Sequence, residues 1–99
     1  MGEHPKAIAD FSEAVKIDPN DCAPVFNRGL SYVRMKNLDA AVTDFTQAIR
    51  LTPDDPAGFI QRGYAFHELK EADKAIADFT EAIRLNPGNI GGREKVAEV

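Results

Sequence analysis

One phrase occurs three times in this chain with small changes: AIADFSEAVKIDP from Ala7 to Pro19, AVTDFTQAIRLTP from Ala41 to Pro53, and AIADFTEAIRLNP from Ala75 to Pro87. The three copies start 34 residues apart. A fixed period of that length marks a chain built from stacked supersecondary units. One such unit cannot bury its own apolar face and must lean on a neighbour, so the chain is expected to form an elongated body with a continuous core and a long surface groove. Bodies of this kind bind other molecules rather than transform them.

Within the period, apolar residues fall at three- and four-residue steps, the spacing of one helix face. Leu38, Ala41, Val42, Phe45, Ala48 and Ile49 predict a buried stripe on a helix over 38–51. Ala72, Ala75, Ile76, Phe79, Ala82 and Ile83 predict the same over 72–85, and Ala7, Ile8, Phe11, Ala14 and Val15 predict it in the first copy. The helices over 38–51 and 72–85 are each preceded by another helix. Asn20 or Asp21 can cap the one that runs to about Met35, with Pro24 in its first turn. Asp55 and Pro56 open the one that runs to about Leu69. Lys36 and Asn37 make the turn between them, with Asn37 or Asp39 available as the next cap. Connections this short require antiparallel neighbours. The expected fold class is all-α, a stack of antiparallel helix-turn-helix units. Residues 1–19 supply the second helix of one unit, 20–53 and 54–87 form two complete units, and 88–99 begin a further helix weakened by Gly91 and Gly92.

The 99 residues carry a net charge of −4, which disfavours a phosphate backbone or an anionic membrane surface as partner. No apolar run approaches a membrane span, and MGEHPKAIAD has no signal-peptide core, so a cytoplasmic location is expected. The single Cys22 cannot form an internal disulfide. It is placed in a loop beside Asp21, where a thiolate is disfavoured. His4 and His67 have no metal-ligand spacing, and the glycines after Pro87 lack the Lys-Ser or Lys-Thr of a phosphate loop. Asp10, Asp44 and Asp78 recur only because the unit recurs, and sites one unit apart stand about 10 Å apart, too far to share a metal. No catalytic residue, cofactor or metal is therefore expected.

The chain resembles the tetratricopeptide repeat family. The residues that carry the likeness are Val25, Gly29, Tyr32 and Phe59, Gly63, Phe66 on first helices, and Ala7, Phe11, Ala14, Pro19 with their counterparts Ala41, Phe45, Ala48, Pro53 and Ala75, Phe79, Ala82, Pro87 on second helices. The resemblance implies a right-handed α-solenoid whose first helices line a concave surface that binds peptides or protein segments. Two departures stand out. Val25 replaces the usual large aromatic-like residue, and Arg28 and Arg62 stand where the family usually has Leu. In hairpins centred on Lys36 and Lys70, Arg28 faces Asp44 and Arg62 faces Asp78, which predicts structural Arg–Asp pairs. The alternatives are that Asp44 serves Arg62 of the next unit, or that these charges are solvated on an outer face.

The candidate groove residues are Phe26, Asn27, Leu30, Val33 and Arg34 on one first helix, with Ala23 beside them, and Ile60, Gln61, Tyr64 and His67 on the next, with Ala57 and Glu68. Phe26, Leu30, Ile60 and Tyr64 make an apolar stripe suited to an amphipathic helix or extended peptide. The alternative is that Phe26 and Tyr64 serve only to pack units together. One subgroup of the family clamps the terminal carboxylate of chaperone tails with Asn, Lys and Arg. Here Asn27 matches, but Ala57 and Gln61 stand at the basic places, so that clamp is not expected.

By the period, the chain starts and stops inside a unit. This suggests a piece of a longer protein, or half-units of separate copies completing one another in a homo-oligomer. The expected function is a non-enzymatic protein-interaction module. A self-assembling structural module, or the noncatalytic arm of a larger enzyme, is the alternative.

Overall fold

The computed structural model describes residues 4–86, which form five helices: α1 (His4–Ile17), α2 (Cys22–Arg34), α3 (Leu38–Leu51), α4 (Pro56–Glu68) and α5 (Ala72–Leu85). No strand occurs among the described residues. The partial helix expected over 88–99 lies outside them.

Local chemistry sets the ends of these helices. The Asp21 and Asp55 carboxylates accept hydrogen bonds from the backbone N–H of Ala23 (3.2 Å) and Ala57 (2.9 Å), each relieving an orphan donor of the first turn. Asn20 is not the cap; its N–H bonds Asp18 Oδ1 at 3.2 Å. Cys22, expected in a loop, is the first residue of α2. At the N-terminus of α3, neither Asn37 nor Asp39 supplies a side-chain cap.

The turns after α2 and α4 share one construction. Lys36 and Lys70 adopt the left-handed backbone, with φ of 65° and 67°. Asn37 N–H reaches Tyr32 O (2.8 Å) and Lys36 N–H reaches Val33 O (2.9 Å); Glu71 to Phe66 and Lys70 to His67 repeat the pattern. These are paired Schellman bonds, here built on lysine where glycine is usual.

Each helix packs on the next in order, and α2 also touches α4. Among the described helices, α1 and α3 do not meet, nor do α3 and α5. First helices are thus drawn together while second helices stand apart, and the stack is a solenoid of helix-turn-helix units. Its core is Val25, Ala41, Phe45, Ala48, Ala65, Ala75 and Ala82. Gly29 and Gly63 allow the close approach within each unit. A Cβ on Gly29 would stand 2.6 Å from the Phe45 ring, and one on Gly63 would stand 2.7 Å from the Phe79 ring.

One expectation is corrected. Ile76 and Ile83 were expected on the buried stripe of α5, yet they are 62% and 40% exposed, and Ala72 is also exposed. Their counterparts Val42, Ile49 and Leu38 are half-buried. The difference follows from neighbours: α4 lies against α3, with Gly58 close to Ile49, whereas among the described residues no further helix packs on α5.

Candidate functional site

The two expected Arg–Asp pairs form, each within its own unit. Arg28 Nε and Nη2 donate to Asp44 Oδ2 and Oδ1, both at 2.8 Å. Arg62 does the same to Asp78 at 2.8 and 2.7 Å. Both carboxylates are buried, at 4% exposure, so a planar two-point donor is what allows them to be ionised there. The remaining nitrogen of each arginine crosses to the preceding unit: Arg28 Nη1 donates to Ser12 Oγ (3.0 Å) and Arg62 Nη1 to Thr46 Oγ1 (3.1 Å). The spacing of Ser12 and Thr46 from the arginines could have revealed this third bond, since both lie 16 residues before them. Asp44 raises the Arg28 pKa above its ordinary value, first through those hydrogen bonds, against the opposing effect of burial.

These fasteners tie α2 to α1 and α3, and α4 to α3 and α5; α2 and α4 also touch, which puts the groove candidates on neighbouring elements. Tyr64 is the most accessible large apolar residue among them, 56% exposed, with its ring edge-on to Phe79 at 5.2 Å. Phe26 is half-buried, 5.6 Å from the Phe45 ring. Each aromatic packs on the second helix of its own unit, and Phe26 also faces Ala57 and Gly58 of the next unit across a recess. Leu30, Val33, Ile60 and Gln61 are half-buried, and Asn27, Arg34 and His67 are exposed. On these helices Arg28 and Arg62 are paired to second-helix carboxylates, Arg34 and Glu68 stand in the C-terminal turns, and Phe26, Asn27, Leu30, Ile60, Gln61 and Tyr64 are all uncharged.

A recess of about 280 Å³ lies between the N-terminal ends of α2 and α4 and the end of α3. Ala23, Phe26, Ala57 and Gly58 line it together with Cys22 and Thr52. The last two were not foreseen as part of any site. The Cys22 Sγ sits 3.5 Å from Thr52 Oγ1 and 3.8 Å from Ala48 O, a polar lodging for a weak donor. Among the described residues, no group of three His, Cys, Asp or Glu side chains could hold a metal ion, and no helix is long and apolar enough to cross a membrane.

Comparison with known proteins agrees with this architecture. No curated protein matches the chain in sequence. Among solved structures, the first TPR of Spaghetti (RPAP3), bound to the HSP90 peptide SRMEEVD, superposes with a TM-score of 0.85 at 24% identity, covering 98% of this chain and 77% of that one. The second TPR of the same protein, bound to the same peptide, gives 0.81 at 27% identity over 86% of this chain and 79% of that one. A crystal structure of MamA gives 0.83 at 21% identity over 99% and 53%. The family profile described as tetratricopeptide repeat matches residues 26–90. With the repeat period, the paired helices and this match in agreement, the chain belongs to the tetratricopeptide repeat family.

Proposed function

We propose that this chain is a protein-interaction module that binds a peptide or helix segment along the surface of α2 and α4, with Tyr64 as the central anchor. The observation that carries the reading is the exposure of Tyr64, one helical turn beyond the half-buried Ile60 and at the place in its unit that Leu30 holds in the unit before. A large amphipathic ring held by a neighbouring ring is the kind of residue that dominates binding energy at interfaces. The closer approach of first helices than of second helices supports a concave α2–α4 side. Two structural neighbours with TPR folds are bound to an acidic HSP90 peptide. In this chain Ala57 and Gln61 offer no cation at the clamp positions beside Asn27. A carboxylate there would be desolvated without a charged donor. The preferred ligand is therefore an apolar segment without a terminal carboxylate requirement.

The test is selection of binding peptides from a displayed random library, followed by calorimetric titration of wild type and Tyr64→Ala. Selected peptides are expected to be apolar, to bind with little salt dependence, and to lose about tenfold in affinity with the variant. SRMEEVD is expected to show no comparable binding. Equal affinity of both proteins for every selected peptide would refute the reading.

A second reading, self-association, draws on the exposed Ile76 and Ile83 on one face of α5. Light scattering across a wide concentration range decides it. A concentration-dependent oligomer abolished by Ile76→Glu favours it, and a monomer throughout removes it.

A further inference from the structure

Because α1 and α3 diverge while both rest on α2, a cleft of about 440 Å³ opens between them on the face opposite the candidate groove. Val15 and Val42 form its apolar walls above the buried Val25, the Arg28–Asp44 pair lies in it, and Gln47 and Arg50 stand at its side. Comparison with the next unit, 34 residues on, shows what is particular to this cleft. Val15 corresponds to Ile49, Val42 to Ile76, and Val25 to Phe59, so three apolar positions are smaller here; only Thr43, opposite Ala77, is larger. In the next unit the Arg62 guanidinium lies between two rings, 5.8 Å from Phe59 and 5.7 Å from Phe66. At the corresponding places Arg28 has Val25 and Tyr32, so one ring of the pair has no counterpart.

Charge differs in the same place. Arg84 of the later unit is hydrogen-bonded to the carboxylate of Glu81. Its counterpart Arg50 donates to the neutral Gln47 Oε1 at 3.0 Å, and among the described residues it has no carboxylate partner. Arg28 is already neutralised by Asp44, so Arg50 is the uncompensated cation of the cleft.

We propose that this cleft is a second binding site, taking an aromatic side chain next to a carboxylate from an acidic segment of a partner protein. The ring enters between Val15 and Val42 and lies against the Arg28 guanidinium, as Phe59 lies against Arg62. The carboxylate meets Arg50, as Glu81 meets Arg84. The site is independent of Tyr64 and the α2–α4 surface.

The test is an NMR titration of the ¹⁵N-labelled full chain with 3-phenylpropionate, alongside its uncharged amide. Affinity on the order of millimolar is expected for so small a probe. Shifts should centre on the Val15, Val42, Gln47 and Arg50 amides and on the Arg28 Nε–H. The acid should bind about threefold tighter than the amide, the size of one exposed ion pair. Val25→Phe places the ring of the next unit in the cleft and should abolish binding of both probes. Gln47→Glu, an exposed-side change that leaves the core alone, should bring acid and amide to equal, weak affinity. Tyr64→Ala should change nothing. Absence of shifts in wild type, shifts centred elsewhere, or unchanged binding in Gln47→Glu would each overturn the proposal.

Discussion

Arg28 holds the buried carboxylate of Asp44 with two nitrogens and reaches Ser12 of the preceding unit with the third. A single side chain thereby ties α1, α2 and α3. Truncating it leaves a buried charge with no partner, the costly way to break such a pair. Arg28→Ala is expected to lose about 3 kcal/mol in urea denaturation. The double variant Arg28→Met/Asp44→Leu, which removes both charges, should recover most of that. Ser12→Ala removes only the crossing bond and should cost about 1 kcal/mol. If the double variant were as unstable as the single, the loss would come from packing and not from the stranded charge.

The pH dependence follows from the direction of the Arg28 shift. Its folded-state pKa is raised, chiefly by its hydrogen bonds to Asp44. A raised value means stabilisation that is complete below the unfolded pKa and lost only as pH climbs through the folded one. For arginine that window lies above about pH 12, so wild type keeps this contribution across the ordinary alkaline range. Arg28→Lys moves the window down, because lysine loses its proton near pH 10.4 in roughly unperturbed form. The stability difference between the two proteins is expected to be constant from pH 7 to about 10 and to widen above that. Denaturation curves at stepped pH measure it.

Two glycines in equivalent places are predicted to respond unequally. Both would place a new Cβ under 3 Å from a ring, but Phe45 is fully buried whereas Phe79 is only half-buried. The Phe45 ring has nowhere to yield, and overpacking of that kind costs about 1–3 kcal/mol. Gly29→Ala should therefore destabilise by about 2 kcal/mol. Better helix propensity offsets about 1 kcal/mol in both variants, but at Gly63→Ala the ring can also swing, so less strain remains. Thermal unfolding of the two variants should show the larger drop for Gly29→Ala; equal drops would contradict the account.

Lys36 and Lys70 hold a left-handed backbone that costs a residue with a Cβ about 1–2 kcal/mol. Glycine relieves that cost but adds freedom to the unfolded chain. Lys36→Gly and Lys70→Gly are each expected to stabilise by about 0.5–1 kcal/mol, and their effects should add because the turns are one unit apart. A loss of stability in either would mean that the lysine side chains contribute more than their backbone strain removes.

The period made most of this architecture readable in advance. The ranges of α3 and α5 came from apolar spacing, and the caps of α2 and α4 came from Asp21 and Asp55. The Arg–Asp pairs followed from counting outward from the turn. What escaped the sequence depends on relations that a stripe does not encode. Lysine carries no signal for positive φ; only two Schellman bonds show it. Ile76 and Ile83 belong to an apolar stripe like that of α3, yet burial depends on the neighbour, not on the stripe. Tyr64 is expected in the groove from its repeat position, but its edge-on seat against Phe79 depends on tertiary packing that spacing does not encode. The departure at Val25 was visible from the start, while the cleft it helps to shape appears only once α1 and α3 are seen to diverge.

The crossing bonds to Ser12 and Thr46 anchor each of the two complete units to the one before it. In a linear array, cooperativity is set by how strongly neighbours are coupled relative to their own stability. Cutting a crossing bond while leaving each Arg–Asp pair whole lowers the coupling and spares the unit. Added to the packing of α1 on α2 and of α3 on α4, each crossing hydroxyl thus tunes how far the chain melts as one object and how far as a row of hairpins.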